Sequence, residues 1–296
     1  MHRLRRWGPG LLLVSPSLIL LGVFVYGFLG WNLRVSLSDW RGLRPNYAYE
    51  GFGNYTRLPG DTRFTDDVEN VVVFTLVFVG GTLLVGFLLA LLLEKRVRGE
   101  GAFRGVFLYP MAVSLIATAI VWRWLLNNST GSQETGLNKL FGLVGLDFLA
   151  NDWFKSNTNW AVAAVALPAG WALSGYVMAL FLAGLRGVSD ELREAARVDG
   201  ASEPKVFWHV VRPMLLPVVM SAVVILAHIS LKTFDLMFAM DVESRKIETP
   251  ALYMWFTTFD GGNFSRGAAI ATLLVLGISL VIVPYIAYSI RAERRR

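Results

Sequence analysis

The 296-residue chain contains no cysteine, which excludes disulfides, thiolate chemistry and Cys-ligated metals. Histidine occurs three times, and no H-E-x-x-H sets two of them on one helix face, so a zinc hydrolase of that kind is excluded. There is no G-x-x-x-x-G-K-[ST] run, hence no such loop to cradle nucleotide phosphates, and no G-x-S-x-G to present a nucleophilic serine. Charge is also scarce: 17% of residues are charged and 54% are apolar. An integral membrane enzyme would need nucleophilic or charged groups converging at depth, and few such groups exist here.

What is abundant is apolar sequence, gathered into six blocks near residues 10–31, 70–93, 105–126, 160–185, 214–240 and 268–290. Each approaches the ~20 residues with which a helix crosses a bilayer. Backbone groups cannot stay unpaired in lipid, and none of the blocks alternates with a period of two, so helices and not barrel strands are expected. The expected fold is all-α, a polytopic membrane protein with six transmembrane helices in a single domain over 1–296. Met1-His2-Arg3-Leu4-Arg5-Arg6 followed by apolar residues imitates a secretory signal. The run is too long for a signal core and has no small-x-small cleavage site, so it is taken as an uncleaved first span.

Orientation follows from the basic residues. Sixteen Lys and Arg flank the spans on the side of the N-terminus, of 94–104, of 186–212 and of the tail; ten lie in the opposite loops among thirteen acidic residues. The positive-inside rule then places both termini and the loop around Glu194 in the cytoplasm. The net charge of +6 is thus a topology signal, and nucleic acid is not an expected partner. The outward loops, about 32–69, 127–159 and 241–267, carry turn signals such as Pro59-Gly60-Asp61. Thr65 followed by Asp66 and Asp67 reads as an N-cap that opens the second span.

Ionisable residues inside spans are costly and therefore informative. His228, Lys232 and Asp235 in the fifth block are spaced four and three apart, one face of a continuous helix. Two readings stay open: a local ion pair that hides both charges, or the lining of a polar cavity. Arg123 between Trp122 and Trp124 reads as a snorkelling anchor at the membrane interface.

Between the fourth and fifth blocks lies a polar hinge. Ser189 precedes Asp190 and Glu191, a helix start with an acidic first turn; Glu194-Ala195-Ala196 continue it, and Gly200 permits a left-handed turn before Ala201. Ser202, Glu203 and Pro204 start a second helix, to which Phe207, Trp208, Val210 and Val211 give an apolar face. Two helices hinged at a glycine form a shape suited to docking on another protein.

At these residues the chain resembles the permease subunits of binding-protein-dependent ABC importers. Their shared motif reads EAA, three residues, G, nine residues, I-x-L-P. Here it is Glu194-Ala195-Ala196, Gly200, then Val210-Val211-Arg212-Pro213, with Val for Ile and Arg212 for Leu. The resemblance to the maltose and glycerol-phosphate type continues through Gly53-Asn54-Tyr55, Tyr109-Pro110, Val121-Trp122-Arg123-Trp124, Gly136-Leu137-Asn138, Phe181-Leu182-Ala183-Gly184-Leu185 and Lys232-Thr233-Phe234-Asp235-Leu236. Two departures are Ser189, where the family often has Pro, and Asp241-Val242-Glu243-Ser244-Arg245-Lys246, where it often has a Gly-Gly-Pro loop.

The resemblance implies the type I ABC importer permease fold in a prokaryotic cytoplasmic membrane. It implies a second, homologous permease as heterodimer partner, a cytoplasmic ABC ATPase dimer, and an extracytoplasmic sugar-binding protein on the outer loops. ATP and Mg would be bound by the ATPase, leaving this chain without a cofactor or metal and without enzymatic activity of its own. The coupling loop 186–213 would deliver force through Glu194, Ala195, Ala196, Asp199, Gly200 and Ala201. For a sugar, Trp171, Ser174, Tyr176, Lys232, Phe234 and Asp235 supply aromatic faces and hydrogen-bonding groups along the pathway. An ion-coupled secondary transporter, or an integral membrane enzyme, is the competing class.

Overall fold

The computed structural model describes residues 2–95, 97–129, 135–158, 160–241 and 245–293. The tail arginines Arg294 to Arg296, Arg96, and Val242, Glu243 and Ser244 of the sixth-block approach lie outside the described residues. Among those described there is no strand, only two isolated bridges, Ser38 with Tyr49 and Arg41 with Asn263.

Eleven helices carry the argument: α1 (Leu12–Ser36), α2 (Thr62–Glu94), α3 (Glu100–Ala112), α4 (Leu115–Leu125), α5 (Gly136–Leu143), α6 (Ala161–Arg186), α7 (Asp190–Val198), α8 (Glu203–Leu231), α9 (Asp235–Asp241), α10 (Pro250–Trp255) and α11 (Phe264–Glu293). Five of them (α1, α2, α6, α8 and α11) are long and apolar enough to cross a membrane, and the bent pair α3–α4 makes a sixth candidate. The chain divides into two compact units, residues 1–65 with 253–275, and 66–252 with 276–296.

In the second unit α6 is the central element. Over half of its apolar window is buried, against 28% for α2 and for α8. Lipid tails are as apolar as leucine, so burial there comes from close packing between helices, which small residues permit. Ala161, Ala166, Ala169 and Ala172 supply this on α6, while Val177, Met178, Phe181 and Leu182 fill the space between. Gly175 decides how α3 can lie: a Cβ there would run into the carbonyl of Phe107. α2 contributes Phe74 and Phe78, stacked at 5.3 Å, and α9 packs on α4 with Leu236, Met237 and Met240 buried.

The first unit is held by a small core of Leu58, Tyr253, Ala269 and Ile270, with Tyr55, Phe64 and Met254 against it. Asn54 is buried and donates to the carbonyls of Ser36 (3.0 Å) and Ser38 (2.9 Å), which closes the loop after α1. Asp61 ties three segments together. Its Oδ2 accepts from Tyr253 at 2.5 Å and from Arg266, and its Oδ1 accepts from the Arg63 N–H at 3.0 Å. Burial pushes the Asp61 carboxyl up, but Tyr253, Arg266 and the backbone N–H groups of Arg63 and Phe64 outweigh it and hold the group below 3.8. Burial and the bond to Asp61 together raise the Tyr253 hydroxyl.

Four expectations change. The second span starts at Thr62, because Asp61 and not Thr65 caps it. The block 105–126 is not one straight helix: α3 and α4 meet at 97°, since Pro110 tightens the end of α3 into a 3-10 turn and Val113 and Ser114 are extended. The second hinge helix and the fifth span form a single helix, α8, with a π stretch at Phe207–Val211. The block 214–240 also breaks. α8 stops at Leu231, and the chain restarts at Asp235 as α9.

Candidate functional site

The hinge is built from backbone hydrogen bonds before any side chain is considered. α7 ends as the Ala201 N–H donates to the Ala196 carbonyl and the Gly200 N–H to the Arg197 carbonyl, both at 2.9 Å. This pair of bonds is the Schellman cap, and it needs a left-handed residue after the helix. Gly200 meets that need at φ +81°. Ser189 and Ser202 stand at the expected N-cap positions in extended conformation, although neither side chain makes a cap bond. Across the turn Arg197 Nε donates to Glu203 Oε1 at 2.7 Å and Nη2 to Oε2 at 3.3 Å, which fixes α7 against the start of α8. The Glu203 carboxylate raises the Arg197 guanidinium above its ordinary value.

α7 buries none of its residues. Leu192 and Val198 stand in the open, the latter 87% exposed, and Glu194 and Ala195 are exposed beside them. No ion pair to Glu194 is found among the described residues, whereas its neighbours Arg193 and Arg197 are both paired. The helix therefore presents Leu192, Ala195 and Val198 around a carboxylate that makes no ion pair among the described residues. Such a surface suits a basic partner. Asp199 and Ala201 belong to the turn: the Asp199 N–H donates to the Ala195 carbonyl at 3.0 Å.

The pathway residues are brought together only in part. Trp171 and Ser174 line an apolar groove of about 340 Å³, joined there by Trp122, Thr82, Gly81 and Gly170. Trp122 lies 6.2 Å from Trp171, ring to ring. Thr82 Oγ1 is buried and has no hydrogen-bond partner among the described residues. Tyr176, Lys232, Phe234 and Asp235 are not in the lining. Lys232, Phe234 and Asp235 fall on the break between α8 and α9, so the one-face argument fails there. Lys232 Nζ lies 3.3 Å from His228 Nε2, and no Lys232 to Asp235 pair forms. Sequence reasoning missed Thr82, for which the run Gly80-Gly81-Thr82 inside an apolar span was the available signal. It also read Trp122 only as a flank of Arg123.

In the loop that replaces Gly-Gly-Pro, Lys246 Nζ donates to the Lys155 carbonyl at 2.7 Å and to Asn157 Oδ1 at 2.6 Å. The intervening Val242, Glu243 and Ser244 are outside the described residues.

Apolar helices long enough to cross a membrane several times, joined by an exposed hinge that a left-handed glycine ends, are the marks of a membrane permease subunit. The chain belongs to the family described as "Binding-protein-dependent transport system inner membrane component", whose profile matches residues 82–295. It is 38% identical over 287 residues to a probable ABC transporter permease protein of Pyrococcus horikoshii, covering 96% of this chain and 97% of that one. It is 34% identical over 274 residues to the xylose/arabinose import permease protein of Haloferax volcanii, covering 91% and 84%. Among solved structures it is similar in fold to a chain of a bacterial alginate ABC transporter in complex with alginate pentasaccharide-bound periplasmic protein. There the TM-score is 0.77 at 17% identity, with 98% of this chain and 97% of that chain covered.

Proposed function

We propose that the chain is one permease subunit of an ATP-driven carbohydrate importer in a prokaryotic cytoplasmic membrane, with both termini and α7 on the cytoplasmic side. It pairs with a second, homologous permease, docks a cytoplasmic ABC ATPase dimer through α7 and Gly200, and receives solute from an extracytoplasmic sugar-binding protein. ATP and Mg belong to the ATPase. The observation that carries the reading is α7 itself, a helix with no buried residue whose Glu194 has no ion-pair partner among the described residues and whose end is set by Gly200 at φ +81°. Closure of the ATPase dimer pushes on α7 and turns the spans from inward-open to outward-open. A carbohydrate class is supported by the names of the relatives and by the Trp122 and Trp171 faces beside Ser174 and Thr82, which suit a pyranose ring and its hydroxyls.

The test is uptake by the assembled transporter in proteoliposomes. Uptake that requires ATP and the binding protein, and that Glu194→Arg abolishes, is expected. Uptake that ignores ATP but collapses with an ion gradient would establish a secondary transporter instead. Thermal shift of the binding protein against mono- and disaccharides identifies the solute.

A further inference from the structure

Arg193 precedes Glu194 on α7 but turns the opposite way. Its side chain is 18% exposed; Nη1 donates to Glu94 Oε1 at 2.8 Å, and Nη2 donates to the Leu185 carbonyl at 2.9 Å. Glu94 is the last residue of α2, and Leu185 lies in the last turn of α6. Arg186, the last residue of α6, repeats the pattern. It donates to the Leu93 carbonyl of α2 at 2.8 Å and to both carboxylate oxygens of Glu100, the first residue of α3, at 2.8 Å each.

The last carbonyls of a helix have no partner within it, and its negative end favours a cation. Leu93 and Leu185 are such carbonyls, and each receives an arginine. Glu94 is the reverse case: a carboxylate at the negative end of α2 is unfavourable until a cation neutralises it. Arg193 is that cation. It therefore joins α7 to α2 and α6 at once, through charge-assisted bonds whose planar fork fixes direction as well as distance. Residues 187–189 connect α6 to α7 along the chain, and Arg193 adds a side-chain tie across that turn to the end of α6. Arg197 with Glu203 holds the other end of α7 to α8.

We infer that the Arg193–Glu94 pair is the contact through which a push on α7 reaches α2, with Arg186 and Glu100 passing it to α3. Arg193 is thus a positioning residue of the coupling step. The inference rests on the reading of α7 as the ATPase-docking helix.

Because this chain has no cysteine, it can be labelled alone at introduced cysteines and then assembled with its partners. Asp190→Cys at the start of α7, away from the docking residues, and Leu92→Cys on α2 are both exposed positions. In the assembled transporter one narrow label distance is expected, unchanged between nucleotide-free and ATP-vanadate states. Arg193→Gln should broaden it and lower uptake per ATP about fivefold or more, while ATP hydrolysis and assembly persist. The exchange Arg193→Glu with Glu94→Arg should recover part of the loss. A label distance that changes between states in the otherwise unsubstituted chain would overturn the inference, as would Arg193→Gln keeping both the narrow distance and the uptake per ATP. If Arg193→Gln does not assemble, Glu94→Gln is read by the same two outcomes. Normal uptake in a Gly200→Ala transporter sinks the docking reading itself. Uncoupling by Gly200→Ala but not by Arg193→Gln sinks only the relay.

Discussion

Replacing Gly200 by alanine adds one methyl group to the turn that ends α7, and nothing lies within 4 Å of where that methyl would stand. The cost is therefore conformational. At φ +81° an L-residue stands in the left-handed region, at about 1–2 kcal/mol, which changes the balance between a capped and a frayed hinge by roughly 5–30-fold. Fraying releases the two 2.9 Å bonds from Gly200 and Ala201 and withdraws Arg197 from Glu203, so the angle between α7 and α8 is no longer set. Uptake per ATP in proteoliposomes should fall by a comparable factor, while expression and membrane insertion stay close to the unsubstituted chain, because Asp199 and Gly200 at the turn are exposed and hold no core. Gly200→Asn is the informative companion. Asparagine is larger but adopts left-handed conformations more readily, so it should keep more coupling than alanine does. Unchanged uptake per ATP in Gly200→Ala, or an asparagine variant worse than the alanine one, would refute the reasoning.

Gly175→Ala should prevent α3 from seating on α6, because the new Cβ overlaps the Phe107 carbonyl; overpacking of this kind costs about 1–3 kcal/mol and should appear as lost monodisperse yield in detergent. Asp61→Asn should loosen the loops of the first unit and lower the thermal midpoint. In the native chain the Asp61 contribution is complete above the ordinary carboxylate range and is lost as pH falls through its depressed value below 3.8, whereas that of Tyr253 is lost as pH rises above 10.0; the difference in midpoint between the native chain and Asp61→Asn should therefore hold steady between these limits and shrink at acid pH. Lys232 sits against His228 and not Asp235, so Lys232→Met and Asp235→Asn should combine additively in a double-mutant cycle, with coupling under about 0.5 kcal/mol. Recovery of uptake in the double variant would reinstate the ion pair.

The hinge was legible because its cause is local. A glycine followed by a serine, a glutamate and a proline specifies one helix end and one helix start, and α7 ends and α8 begins where these residues put them. The long blocks were legible for the same reason, since hydropathy alone marks α2, α6 and α11. The breaks were not. Pro110 falls inside a block that hydropathy reads as one continuous helix, and neither the 3-10 turn it makes nor the close approach of Phe107 to Gly175 on a distant helix shows in the apolar run itself. Lys232 and Asp235 failed likewise: spacing predicts a shared face only while the helix continues, and nothing in Leu231-Lys232-Thr233-Phe234 announces that α8 stops there. The groove around Trp171 depends on α2, α4 and α6 meeting, which no single stretch of sequence encodes.

The bend between α3 and α4 has a consequence for how the protein is made. The two pieces have 13 and 11 residues, which at 1.5 Å per residue rise about 20 Å and 17 Å, each short of the ~30 Å hydrocarbon core. Neither can settle as a crossing by itself while it leaves the ribosome. The surface that accepts α3 is α6, with Gly175 at the contact, and α6 is synthesised about fifty residues later. Biogenesis of this region is therefore out of chain order: the third crossing takes its final shape only after the fourth is in place.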